Sequence, residues 1–76
     1  MQKTELFERL KIQYPNATIE VTDLTGGGDH YEVSIVSDAF KGLSRIDQHK
    51  AVMQVFAEEL QTGELHALSL KTKSQS

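Results

Sequence analysis

The sequence predicts a single small α+β domain, a three-stranded sheet with helices on one face. Three observations carry that expectation. The chain has 76 residues, enough for one hydrophobic core. Two stretches alternate polar and apolar residues with period two, and two others repeat apolar residues every three or four positions. Proline or glycine stands between these stretches, where it punctuates the chain.

The first element, Gln2 to Tyr14, reads as a helix. Leu6, Phe7, Leu10 and Tyr14 make one apolar face, and Glu5, Glu8, Arg9 and Lys11 cover the rest. Pro15 ends it, because proline disfavours helix at the residue before it. Ala17 to Thr22 alternates and is rich in β-branched residues, which predicts a strand. A flexible, glycine-bearing connection from Asp23 to Asp29 leads to a second strand, His30 to Val36, and the two read as a hairpin. Tyr31, Val33 and Ile35 should face the core, with His30, Glu32 and Ser34 turned away.

Ser37 to Gly42 reads as a short helix or turn anchored by Phe40. Ser44, with Asp47 three residues on, caps the start of one long helix. Its buried stripe is expected at Ile46, Val52, Met53, Phe56, Ala57 and Leu60, and Gly63 should terminate it. Leu65 to Lys71 reads as the third strand, with Leu68 and Leu70 inward. Residues 72–76 are polar and expected to form a disordered tail to the single domain 1–76.

Composition narrows the function classes. With no cysteine, the chain has no disulfide and no thiolate ligand of its own, which suits a reducing compartment. No apolar run reaches the roughly 18 residues of a membrane span. The opening Met1-Gln2-Lys3-Thr4-Glu5 lacks the apolar core of a signal peptide. The expectation is a cytoplasmic protein that does not engage membranes. A net charge of −3 argues against coating nucleic acid as the main role. No nucleophile, base and orienting group stand at an informative spacing, so the chain is expected not to be an enzyme. Gly26 to Gly28 lacks the Lys-Ser/Thr of a phosphate loop and joins two strands rather than opening a helix.

Four stretches carry a family resemblance. They are Gly28-Asp29-His30-Tyr31, Phe40-Lys41-Gly42-Leu43-Ser44-Arg45, Gln48-His49-Lys50, and Glu64-Leu65-His66-Ala67-Leu68-Ser69-Leu70-Lys71-Thr72. With their spacing, they resemble the BolA-like family over nearly the whole chain. The resemblance implies a fold similar to class II KH domains. It also implies pairing with a monothiol glutaredoxin around a bridging [2Fe-2S] cluster, with glutathione bound on the partner. The family's ligand histidine just before the last strand falls on His66. Its second ligand, a His or Cys between the first two strands, falls on His30, which places the chain in the His-loop type.

The chemistry is compatible with that implication. Two histidines replacing two thiolates on one iron is known cluster chemistry, and the partner would supply the thiolates. Two histidines from separate strands converge only if the fold brings the strand ends together, which an antiparallel placement of the third strand near the second would allow. His66 shares parity with Leu68 and Leu70, so it must stand before the strand or beside a bulge to be available. His49, at the edge of the long helix's apolar stripe, is a third and weaker candidate. Free of a partner, the chain is expected to be a monomer or weak homodimer.

An alternative reading is a DNA-binding transcriptional regulator, a role the resemblance also implies. Lys41, Arg45 and Lys50 stand around the start of the long helix, where a helix N-terminus favours phosphate. The RNA grip of KH domains needs Gly-x-x-Gly, and the stretch from Phe40 to Arg45 has a single glycine.

Overall fold

A computed structural model describes residues 1–75. Helix α1 spans Lys3–Gln13, and strands β1 and β2 span Thr18–Asp23 and His30–Ser37. A single 3-10 turn, Asp38–Phe40, leads to helices α2, Arg45–Val55, and α3, Ala57–Thr62, and then to strand β3, Ala67–Ser74. The sheet order is β1-β2-β3. This is the small α+β domain expected, with α1 packed on β1 and α2 on β3.

Burial follows the predicted pleat of β2. Tyr31, Val33 and Ile35 are buried, and they join Leu6, Leu10, Val21, Phe40, Val52, Phe56 and Leu65 in the core. On the opposite face Glu20, Thr22, Glu32, Ser34 and Lys71 line an open surface, where Lys71 Nζ lies 3.0 Å from Glu32. The helices therefore cover one face only.

β1 and β2 pair antiparallel, as a hairpin should. β2 and β3 pair parallel, with His30 opposite Ala67, and not in the antiparallel placement considered from the sequence as a way for the histidines to converge. The physical reason lies in the connection. α2 and α3 return the chain to the end of the sheet where β2 began, and a crossover of a dozen or more residues is what a parallel pair needs. Because both histidines stand at strand starts, only the parallel arrangement puts them side by side.

The expected long helix is two helices. Phe56, at φ −114° and ψ 21°, interrupts the helical ladder between them. The freed Val55 carbonyl accepts a hydrogen bond from Arg9 Nη2. The same guanidinium lies 4.9 Å over the Phe56 ring and 2.9 Å from Glu59. One α1 side chain thus satisfies the break and ties α1 to both halves. The buried stripe is also narrower than expected. Val52 and Phe56 are buried, whereas Ile46 is 66% exposed and Met53 and Ala57 lie outward. Phe7 on α1 is likewise 41% exposed.

Gln48 fills the position the stripe leaves. Its amide nitrogen donates to the Leu43 carbonyl at 3.0 Å, and its amide oxygen accepts from Thr72 Oγ1 at 2.7 Å. A buried amide needs such partners. The bond holds Thr72 in the sheet, and β3 runs to Ser74 rather than ending at Lys71. The expected tail from residue 72 is therefore strand as far as Ser74, and Ser76 lies outside the described residues.

Candidate metal centre

The glycine connection between β1 and β2 is more ordered than a flexible linker. Asp23 accepts hydrogen bonds from the amides of Thr25, Gly26 and Gly28, the last two at 2.9 and 3.1 Å. Gly26 and Gly28 adopt φ of 78° and 76°, which side-chain-bearing residues rarely do. The loop wraps around one carboxylate and delivers Asp29 and His30 to the start of β2.

The approach to β3 delivers His66. Gly63, at φ 86°, ends α3, and its amide and that of Leu65 both donate to the Glu59 carbonyl. Leu65 is fully buried. His66 comes next, exposed, immediately before the first residue of β3. The amides of His66 and Ala67 both donate to the Asp29 carbonyl, at 2.9 and 3.2 Å. Two consecutive amides on one acceptor break the alternation, much as a bulge does. His66 thereby escapes the inward parity of Leu68 and Leu70.

Asp29, His30 and His66 form one cluster, each offering a ligand atom within 4.8 Å of the others. Asp29 Oδ1 is 3.0 Å from His30 Nδ1, and Asp29 Oδ2 is 3.3 Å from His66 Nδ1. The two rings meet edge to face with centroids 5.7 Å apart. His30, through its close polar contact and its charge, holds the Asp29 carboxyl below the ordinary carboxylate range, with Thr25 and His66 adding to the effect. Yet the His30 ring N–H does not aim well at the oxygen, and Nδ1 is a buried polar atom without a properly formed hydrogen bond. No sequence pattern singles out Asp29 as a site residue, although it sits inside the Gly-Asp-His-Tyr stretch.

The other candidates fall elsewhere. His49 lies on α2, in a shallow groove with Ile46, Lys50, Met53 and Leu60, away from the histidine pair. Lys41, Arg45 and Lys50 are all exposed. Arg45 and Lys50 are five residues apart on α2 and so project about 140° from each other, which spreads rather than focuses their charge. Asp47 occupies the first turn of α2, and its amide is already capped by Ser44 Oγ at 3.1 Å.

Comparison with known proteins agrees with the fold and with the family resemblance. A family model described as BolA-like protein matches residues 6–76. Protein RP812 of Rickettsia prowazekii is 44% identical over 70 residues, covering 92% of this chain and 90% of that protein. Human BolA-like protein 3 is 43% identical over 65 residues, covering 83% of this chain and 59% of the human protein, so the chain spans little more than half of that relative. Among solved structures, the BolA domain of SufE1 from Arabidopsis thaliana superposes with a TM-score of 0.86 at 30% identity, covering 97% of this chain and 94% of that domain.

Proposed function

The chain belongs to the BolA-like family, and on that premise we propose that it is a non-catalytic, cytoplasmic partner-binding protein. It pairs with a monothiol glutaredoxin and shares a bridging [2Fe-2S] cluster with it, acting in cluster trafficking or iron and redox regulation. The observation that carries this reading is the meeting of His30 and His66 at two adjacent strand starts.

The donor set fits the group. The chain has imidazoles and no thiolate, and a cluster accepts histidine in place of cysteine. The buried Nδ1 of His30 is 3.0 Å from Asp29 but makes no well-formed hydrogen bond to it, which leaves a nitrogen donor able to take a ligand role. The side chain of His66 is 57% exposed, so a second protein can reach it. The partner's cysteine and its bound glutathione would complete the cluster's ligands. When bound, the cluster supplies one-electron chemistry and a transferable iron–sulfur unit. The chain's own residues hold two nitrogen donors together on a loop braced by Asp23 and a strand start braced by the Asp29 carbonyl.

The test is reconstitution of the chain and a monothiol glutaredoxin with iron, sulfide and glutathione. A heterodimer should form whose visible circular dichroism differs from that of the glutaredoxin homodimer. In His66→Ala the spectrum should change or the heterodimer should be lost. An unchanged spectrum in that variant would remove the ligand role.

A further inference from the structure

We infer that the chain alone, without a partner, binds a single divalent transition-metal ion through Asp29, His30 and His66. The three side chains come from two strand starts that the parallel register places side by side. The close donor pairs are 3.0 and 3.3 Å apart. The two contacts use different oxygens of Asp29, and one ligand atom from each of the three residues lies within 4.8 Å of the others. A tetrahedral ion with ligand bonds of about 2.1 Å holds its donors about 3.4 Å apart, so small side-chain rotations bring the three donors to coordination distance.

A second observation points to an ion rather than to a closed hydrogen-bonded triad. Both imidazoles turn Nδ1 toward the same carboxylate, and the buried Nδ1 of His30 makes no well-formed hydrogen bond there. A metal ion between these atoms would satisfy the nitrogen that the carboxylate leaves poorly bonded. Two imidazoles and one carboxylate are the donors that Zn²⁺, Fe²⁺ and Co²⁺ share. The side chains are 35–57% exposed, which leaves the remaining coordination position to water.

Asp29 is the distinguishing residue. Its backbone carbonyl already receives the His66 and Ala67 amides, so its backbone is held beside His66 whether or not an ion is present, and its carboxylate reaches both rings from there. The inference concerns the chain by itself and does not rest on the shared cluster.

The experiment is titration of the purified chain with Co²⁺ and, calorimetrically, with Zn²⁺. One equivalent of Co²⁺ should give the intense visible bands of a tetrahedral site. Asp29→Asn should weaken binding by roughly tenfold or more, the loss typical of disturbing a metal ligand or its support. Far-UV circular dichroism of the metal-free variant should match the parent. On adding Zn²⁺, amide shifts should centre on Asp29, His30 and His66. Absence of a one-to-one complex in the parent chain would overturn the inference. So would equal affinity in Asp29→Asn, or shifts centred on His49. If Co²⁺ fails to bind while the glutaredoxin heterodimer still assembles its cluster, the metal-ion inference falls and the shared-cluster reading stands. If Co²⁺ binds but no heterodimer assembles, the metal-ion inference stands and the shared-cluster reading falls.

Discussion

Arg9 lies 4.9 Å over the ring of Phe56, the residue at which the helical segment after Ser44 breaks in two. The same guanidinium also takes the Val55 carbonyl and pairs with Glu59. Arg9→Ala should destabilise the domain by about 2 kcal/mol, combining a charged hydrogen bond with a cation–π contact. Arg9→Lys should recover only part, because an ammonium lacks the planar fork. Urea unfolding monitored by far-UV circular dichroism measures both.

The pair also sets a pH response. Hydrogen bonding from Arg9 holds the Glu59 carboxyl below the ordinary carboxylate range. A group with a depressed folded pKa contributes fully above its unfolded value, about 4.3 for Glu, and loses that contribution as pH falls through the folded value. Glu59→Gln should therefore be less stable than the parent at neutral pH. The gap should narrow as the pH drops below the ordinary carboxylate range. Equal gaps at pH 7 and in acid would contradict the assignment.

Gln48→Ala should cost about 1–3 kcal/mol, the penalty for leaving buried hydrogen-bonding groups unmet. The groups exposed to that loss are the Leu43 carbonyl and Thr72 Oγ1. Amide exchange should accelerate at the end of β3, from Thr72 to Ser74, more than in β1. Uniform acceleration across the sheet would indicate a merely global loss of stability.

Asp23→Ala should release the loop that carries Asp29 and His30. Three amides lose their acceptor, two of them on glycines. Fast-timescale order parameters should fall at Gly26 and Gly28, and the His30 and His66 ring resonances should lose their dispersion. Gly63→Ala tests the other approach. A left-handed conformation costs a non-glycine residue roughly 1–2 kcal/mol, and the added carbon would stand 3.9 Å from His66 Nε2.

Much of the fold is legible in the residues. Alternation places β1 and β2 within a residue of their ends, and Ser44 and Gly63 mark the outer limits of the helical segment. Strand direction is not legible, because an alternating pattern reads the same in either orientation. The break at Phe56 is hidden because it depends on Arg9, forty-seven positions earlier in the chain. Gln48 has the composition of a surface residue, and only the distant Thr72 and Leu43 make its burial tolerable. His30 and His66 stand out through family resemblance, whereas Asp29 emerges only once the parallel register puts the two strand starts together.

The most direct measurement is pulsed electron paramagnetic resonance of the reduced cluster shared with a monothiol glutaredoxin, using this chain labelled with ¹⁵N-histidine. Strong ¹⁵N coupling that disappears in His66→Ala is the result expected if the chain supplies a cluster ligand. A cluster with no histidine-nitrogen coupling, or with coupling unchanged in that variant, would contradict it.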